Sequence, residues 1–325
     1  MPLDTETLIY IVSLLLAAII GYAIHRGSTC AVNAVAELVL QGRPRRFLSF
    51  LLCSAVVALV LLPAAWSSTW RWEGLLPVYS ASWLSIAGGA LFGVGAVVNG
   101  ACNFGTINRL GCGDTQYLFL FPGLFVGAAI GPLLGFPHPG SATSFVDHVT
   151  PVAIGWIMLC VAMAVVFAFA SIQRKRARGT PGRPIAFYLS IIGLLGALIT
   201  LAVGPWHYTR IAVAASSNPS LDVLVEIAPL AGLLAAVVAG SVFAGIRKRT
   251  FKLCAPTLMG SLSCLAGGAL MGAAILLVPG GNDGMVFSGI PSLSPSTAIA
   301  YPAMCLTIAI LVWVPNRLSR KAAAS

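Results

Sequence analysis

The sequence predicts an all-α polytopic membrane protein with about nine transmembrane helices, additional re-entrant half-helices and an inverted-topology internal repeat. Of its 325 residues, 58% are hydrophobic and only 9% are charged, whereas soluble domains carry roughly 25% charged residues. Apolar segments of about 20 residues, the length that one bilayer crossing requires, recur along the whole chain. One glycine-rich segment occurs twice. The composition excludes a cytosolic enzyme and a nucleic-acid-binding protein.

The apolar segments and the basic clusters between them predict the topology. The segments lie near 7–24, 47–66, 83–98, 115–135, 151–172, 185–203, 226–246, 256–278 and 296–314. Each of four basic clusters, at 43–46, 174–183, 247–252 and 317–321, follows an odd-numbered segment. Cytoplasmic loops are enriched in Lys and Arg, so we expect the N-terminus outside and the C-terminus in the cytoplasm. The cation-poor loops 67–82, 136–150, 204–225 and 279–295 then lie outside. The first segment lacks a cleavage pattern, which favours a retained span over a signal peptide.

The internal repeat joins residues 88–105 to residues 267–284. GGALFG in the first copy aligns without gaps on GGALMG in the second, at an offset of 179 positions. Five crossings separate the copies, so they enter the bilayer in opposite directions. We therefore expect one membrane domain over 1–325, with a first repeat at about 1–150, a cytoplasmic linker at about 173–184 and a second repeat at about 185–325. Such repeats hold a substrate site near the midplane, where broken helices meet.

Polar residues interrupt the apolar pattern in three places, at 25–38, 99–114 and 279–295. Polar groups at membrane depth are costly and tend to mark function, and irregular backbone is tolerated there only inside protein or along a cavity. A half-helix beginning in such a segment would direct its free N–H groups at an anion. The candidate ligands, apart from cysteines, are Asn33, Asn99, Gly100, Asn103, Gly105, Gly281, Asn282 and Asp283.

Two of the eight cysteines, Cys30 and Cys102, lie inside these interruptions. A thiol is a weak, polarizable donor that suits a sulfur-bearing ligand, although both could equally be small packing residues. No C-x-x-C motif and no Cys/His cluster occurs, so we expect no metal, cofactor or catalytic residue. Glu37 and Asp283 are the only candidates for a proton relay within the spans, and the driving force stays open.

Other polar residues have simpler interpretations. Arg26 and Arg109 lie near predicted cytoplasmic ends, where anchoring at the interface is at least as good an explanation as anion binding. His207 stands beside Trp206 and Tyr208 in a predicted outer loop, as an interfacial residue would.

The segments RGSTCAVNA at 26–34, GGALFGVGAVVNGACNFGTINRLGCGD at 88–114, and GGALMG with GGNDG within 251–284 resemble the YeeE/YedE family of bacterial membrane proteins, which includes thiosulfate importers. The resemblance implies an inner-membrane transporter in which cysteine thiols hydrogen-bond the terminal sulfur of the ligand. Cys30 and Cys102 match two of the family's cysteines. Gly281 stands where its thiosulfate importers carry a further cysteine, so another sulfur or selenium compound is an alternative cargo. The resemblance also implies a small soluble sulfur-carrier protein docking on the basic inner loops.

Three functions follow from these observations. The leading one is inward transport of a small sulfur-containing anion. The second is a membrane thiol oxidoreductase or sulfurtransferase with a persulfide on Cys102, which the lack of C-x-x-C and of a nearby general base disfavours. The third is a membrane subunit that anchors a soluble partner and transports nothing.

Overall fold

The computed structural model describes residues 4–66, 78–133, 185–217 and 221–322, with the isolated positions 135, 158 and 162. Regular structure in these ranges is helical apart from isolated bridge residues such as Asp114 and Cys254. The helices are α1 Thr5–Gly27, α2 Ala31–Gln41, α3 Arg45–Trp66, α4 Trp83–Val98, α5 Asn103–Gly111, α6 Leu120–Leu133, α7 Ile185–Val203, α8 Thr209–Ser217, α9 Leu221–Arg247, α10 Leu258–Leu277, α11 Gly281–Gly284 and α12 Pro295–Ala322. A 3-10 turn, Thr115–Phe119, precedes α6, and a π-helical turn, Met285–Gly289, continues α11.

Seven helical stretches in this part of the chain are long and apolar enough to cross a membrane. They are Thr5–Gln41, Arg45–Ala65, Trp83–Gly111, Ile185–Val203, Ile227–Arg247, Leu258–Leu277 and Pro295–Asn316. Large apolar side chains on them, including Leu15, Phe243 and Leu306, are more than half exposed, as lipid-facing residues are. The chain is therefore a multi-pass membrane protein.

The predicted segments coincide with helices wherever the structure describes them. The segment 115–135 corresponds to the 3-10 turn followed by α6, whose apolar part is shorter than a full span. Apart from the isolated positions 158 and 162, the predicted segment 151–172 and the predicted linker 173–184 fall outside the described residues, so the expected number of nine crossings stays a prediction.

A short helix follows a long one four times, in the pairs α1 with α2, α4 with α5, α7 with α8 and α10 with α11. Each break contains a residue with a positive φ: Ser28 at 47°, Gly100 at 73°, Gly204 at 80° and Gly280 at 88°. A positive φ is incompatible with a continuing right-handed helix, so the chain turns at each of these points and a new helix begins beyond it.

The long helices meet at very short distances through glycines. A Cβ atom added to Gly21 of α1 would lie 1.8 Å from the carbonyl oxygen of Val237 in α9, and one added to Gly240 of α9 would lie 1.8 Å from that of Ala18. Small residues allow this backbone-to-backbone packing in membranes. Besides α1 with α9, the principal contacts are α1 with α7, α3 with α7, α4 with α10, α4 with α12 and α6 with α10.

Two of the segments that we expected on the outer side contain short helices and buried residues, and the second of them, 279–295, is also one of the three polar interruptions. Residues 204–225 contain α8, and both Trp206 and Thr209 are buried. Residues 279–295 form α11 and the π-helical turn, and most of this segment is buried as well. Both segments are short, rich in small or aromatic residues and poor in charge, so they pack against the long helices rather than extend into solvent.

Candidate functional site

Cys30 and Cys102 stand immediately before the two short helices α2 and α5 and bring their thiols together. The Sγ atom of Cys102 lies 3.9 Å from that of Cys30, within the range of a thiol hydrogen bond. Both residues have extended backbones, which end the preceding turn and begin the helix. Cys30 is 3% exposed and Cys102 is fully buried. The first two polar interruptions of the sequence therefore meet at a pair of sulfur atoms.

Backbone amides from both helices point at these sulfur atoms. The N–H of Ala31 donates to the Sγ atom of Cys102 at 3.0 Å. The backbone amides of Val32 and Asn33 lie close to the Cys30 thiol, and that of Gly105 lies close to the Cys102 thiol. Because a helix N-terminus carries a partial positive charge, the amino ends of α2 and α5 make this point favourable for an anion.

Gly105 allows the first turn of α5 to approach Cys30. A Cβ atom at this position would lie 2.6 Å from the Cys30 Sγ atom and 3.0 Å from the Cβ atom of Ala101. Any side chain larger than hydrogen would displace the thiol. The glycine at this position thus has a specific steric reason.

Asn103 and Asp283 join the first and second glycine-rich segments. The Nδ2 atom of Asn103 donates to the Oδ1 atom of Asp283 at 2.5 Å, across 180 positions of sequence. Asn103 is fully buried and Asp283 is 3% exposed. The contact places α11 directly against the beginning of α5.

Several polar atoms around this contact are buried without a hydrogen-bond partner among the described residues. They are Oδ1 of Asn103, Oδ2 of Asp283, and both Oδ1 and Nδ2 of Asn282. Most buried polar atoms in folded proteins are hydrogen-bonded. A group of unpaired ones is therefore a candidate place for a polar ligand, water or a proton.

The remaining predicted residues shape the site or lie away from it. The Nδ2 atom of Asn99 donates to the carbonyl oxygen of Ala101 at 2.7 Å and to Oγ1 of Thr106 at 3.0 Å, which fixes the turn between α4 and α5. Gly100 is exposed in that turn. Gly281 lies against the Phe92 ring, 2.8 Å from a Cβ atom placed there. Asn33 has an exposed side chain on α2, so only its backbone amide belongs to the thiol pair.

The charged residues that the sequence offered as candidates lie away from the thiol pair. Glu37 forms an ion pair with Arg46, with 2.5 Å between Oε2 and Nε. The Arg109 guanidinium lies 5.9 Å from the centre of the Tyr117 ring. Arg26 donates from Nε to the Tyr188 hydroxyl at 3.5 Å. These contacts direct Arg26 and Arg109 to tyrosines and not to the thiol pair, so the positive partial charge near the sulfur atoms comes from backbone amides. Among the described residues, no group of three or more His, Cys, Asp or Glu is arranged to hold a metal ion.

A small cavity next to Asp283 contains residues that the sequence analysis missed. Its polar wall consists of His207, Tyr208 and Asp283, and its remaining lining is apolar or aromatic. Trp206 packs against Phe287 with ring centres 5.5 Å apart, and Phe287 contacts Phe104 at 5.7 Å. The segment WHYTR follows α7 as the segment beginning at Ser28 follows α1. That correspondence is the one sequence feature from which the burial of WHYTR could have been predicted.

The fold and the site together define a polytopic membrane protein with a buried, thiol-bearing site between half-helices. A family model described as sulphur transport matches residues 26–310 of the chain. The chain therefore belongs to the sulphur transport family, the YeeE/YedE family that the motifs resemble, and this is a family of transporters. A comparison with curated protein sequences gave no match.

Proposed function

We propose that this protein is a bacterial inner-membrane transporter that imports a small sulfur-containing anion, with thiosulfate as the first candidate. One observation carries the proposal: in a member of the sulphur transport family, the thiols of Cys30 and Cys102 lie 3.9 Å apart at the amino ends of two half-helices. The substrate would bind at these thiols and at the polar groups of Asn99, Asn103, Asn282 and Asp283, with glycines 100, 105 and 281 giving the backbone its close approach.

The chemistry of the thiol pair suits an ion with one soft and several hard atoms. The thiols can donate S–H hydrogen bonds to a terminal sulfur atom, while the amides at the start of α2 and α5 can bind oxygen atoms. No lysine or arginine is among the buried residues that the structure describes. An anion bound through thiols and partial charges alone is held weakly enough to be released on the other side.

Two sets of contacts support an inverted repeat, with repeats at about 1–150 and 185–325. The contact of α1 with α9 has its counterpart in that of α7 with α3, and the contact of α4 with α12 in that of α10 with α6. Thr115 donates to the Cys254 carbonyl oxygen at 2.7 Å, and its counterpart Ser294, 179 positions later, donates to the carbonyl oxygen of Tyr79 at 3.3 Å. The second acceptor lies four positions beyond residue 75, which is the counterpart of Cys254 at that offset. An N-terminus outside and a C-terminus in the cytoplasm follow from the basic clusters.

The surroundings of Gly281 bear on the choice of substrate. Its φ is 56°, and a Cβ atom there would lie 2.8 Å from the Phe92 ring and 3.4 Å from Nδ2 of Asn103. A third thiol could be accommodated only if Phe92 moved. With two thiols instead of three, a sulfur or selenium compound other than thiosulfate is the alternative cargo. Uptake measured over a panel of such compounds distinguishes this alternative from thiosulfate.

Uptake of radiolabelled thiosulfate into proteoliposomes tests the proposal. We expect the Cys30→Ala, Cys102→Ala double variant to lose about tenfold or more of the uptake, because hydrogen bonds to a charged ligand contribute about 1.5–3 kcal/mol each. Cys264→Ala is the matched control, since that thiol is also buried but lies in α10 outside the pair. Unchanged uptake in the double variant, or no wild-type uptake of any small sulfur or selenium anion, contradicts the proposal.

The adjacent thiols also favour a second candidate, a membrane thiol oxidoreductase or sulfurtransferase. In the transferase reaction the Cys102 thiolate would take the terminal sulfur of thiosulfate as a persulfide and release sulfite. Mass spectrometry of the protein after exposure to thiosulfate distinguishes the two functions. A stable mass increase of one sulfur atom on Cys102, with stoichiometric sulfite, favours the enzyme, and uptake without this modification favours the transporter.

A small cytoplasmic sulfur-carrier protein is the partner that we propose for the basic loop between α9 and α10. Arg247, Lys248, Arg249 and Lys252 are all exposed there. Charge reversal at Lys248 and Arg249 should abolish co-purification of such a carrier, and transport measured without the carrier should persist.

A further inference from the structure

We infer that Asp283 is a proton-binding site and that the anion crosses the membrane together with a proton bound there. The inference rests on the proposed function, since it concerns how the same site is energised. It assigns to the cavity that Asp283 lines a ligand of its own, the proton, which moves in the same direction as the anion.

The two carboxylate oxygens of Asp283 have different surroundings. Oδ1 accepts the hydrogen bond from Asn103, whereas Oδ2 is buried without a partner among the described residues. Asp283 is 3% exposed and lines the cavity that also contains His207 and Tyr208. An oxygen that is unpaired, buried and next to a cavity is where an added proton would bind.

The charge of Asp283 conflicts with the passage of an anion. The ion pair of Glu37 with Arg46 is the one salt bridge found among the described residues, so no cation there neutralises Asp283. An unpaired carboxylate in a low-dielectric interior costs several kcal/mol, and a neighbouring anion adds repulsion to that cost. One proton on Oδ2 removes both the cost of the buried charge and the repulsion, because Asp283 is then neutral when the anion arrives.

The elements around Asp283 provide few other groups that titrate. The turn before α8 contributes His207 and Tyr208, and Arg210 of α8 is exposed and bonds to the Pro205 carbonyl oxygen at 2.8 Å. Cys102 precedes α5, whose Asn103 bonds to Asp283 and whose Phe104 and Ile107 line the same cavity. The lining from α1 and α9 is apolar, as are Phe92 and Ile275 beside Gly281.

His207 and the buried Tyr208 hydroxyl, which has no partner among the described residues, border the cavity and can relay a proton to Oδ2. The proton comes from the outer solution, forms an O–H bond with Oδ2 and leaves for the cytoplasm when the anion leaves. No covalent bond of the substrate changes.

The test is uptake of radiolabelled thiosulfate by the full-length protein in proteoliposomes, with the membrane potential clamped and the outer pH made one unit lower than the inner pH. For one proton per anion, this gradient should raise accumulation by up to about tenfold over the no-gradient value of the same protein. Thiosulfate remains a dianion over this range, so the gradient acts on the protein. In Asp283→Asn we expect the ratio of uptake with and without the gradient to fall to about one.

Glu37→Gln is the matched control, because it removes the other candidate carboxylate, which is ion-paired with Arg46. Its ratio should equal that of the wild type. If Asp283→Asn transports nothing, two further measurements test the inference. Asp283→Glu should keep the response of uptake to the pH gradient, and a lumenal pH dye should report acidification during uptake by the wild type.

Three results overturn it: wild-type uptake that ignores the pH gradient, wild-type uptake that responds to a sodium gradient instead, or a gradient response that survives in Asp283→Asn. Each of these leaves thiosulfate transport itself intact. Failure of the proposed function would instead appear as absent uptake under every gradient.

Discussion

The sulfur atoms of Cys30 and Cys102 lie 3.9 Å apart at the beginnings of two different short helices, although 72 positions separate the residues. This separation exceeds the roughly 2.05 Å of a disulfide bond by a distance that a small shift of either helix can close. The thiols are thus near enough to share a ligand and, under oxidising conditions, to react with each other.

Oxidation of the wild-type protein with diamide should therefore join Cys30 to Cys102 and stop uptake. The bond would consume the two S–H donors of the site, so we expect a loss of about tenfold or more that a reducing agent reverses. Uptake assays before and after reduction, with peptide mapping of the disulfide, check this. In a Cys102→Ala variant no such disulfide can form, and a diamide effect of equal size there would show that the pair is not the target.

Gly105→Ala should impair transport without removing either thiol. The added methyl group would lie 2.6 Å from the Cys30 Sγ atom, and overpacking of this kind typically costs about 1–3 kcal/mol. We expect uptake to fall by about tenfold. Gly42→Ala is the control for backbone strain without a steric clash, because the φ of 65° strains any side chain there although a Cβ atom meets nothing within 4 Å. Equal uptake in Gly105→Ala and Gly42→Ala would contradict the steric role.

Asn103→Ala should destabilise the protein by about 1–3 kcal/mol, because it leaves the Oδ1 atom of Asp283 buried without its donor. Thermal unfolding in detergent measures the effect as a lowered midpoint. Ser190→Ala provides the comparison, since that hydroxyl bonds only to the Ala186 carbonyl oxygen of its own helix and should change the midpoint little. A midpoint equal to that of Ser190→Ala would mean that the Asn103–Asp283 contact contributes nothing to stability.

Gly240→Val should separate α1 from α9 and reduce the yield of folded protein. A Cβ atom at this position would lie 1.8 Å from the Ala18 carbonyl oxygen, which is backbone and cannot move aside. Size-exclusion chromatography in detergent should show aggregation. Ala235→Val adds a similar volume on the exposed face of the same helix and should remain monodisperse. A monodisperse Gly240→Val peak would contradict this packing.

Much of the architecture could be predicted from the sequence, because hydropathy alone determines where a chain can cross a bilayer. The described long helices begin and end close to the predicted segments, and Cys30, Cys102, Asn103 and Asp283 do come together as the polar interruptions suggested. These interruptions could be found because polar residues are rare in this composition.

The features that could not be predicted depend on tertiary contacts, which no local sequence pattern contains. Trp206 and His207 have the composition of an interfacial loop, and only the packing of Trp206 on Phe287 places them inside. Asn33 is polar and adjacent to the site in sequence, yet its position on α2 turns the side chain away from the thiols. The Asn103–Asp283 hydrogen bond likewise joins two helices whose relative placement the alignment of the repeats could not fix.

The backbone contact between α1 and α9 at Gly21 and Gly240 has a mechanical consequence. Helices whose main chains touch have no side-chain layer to rearrange, and close-packed interfaces of this kind do not deform continuously. The pair of α1 and α9 therefore resists separation, and we expect any opening of the site to come from movement of the short helices. The hydrogen bonds that hold α5 to its neighbours, Ala31 N–H to Cys102 and Asn103 to Asp283, are the ones that such a movement would have to break.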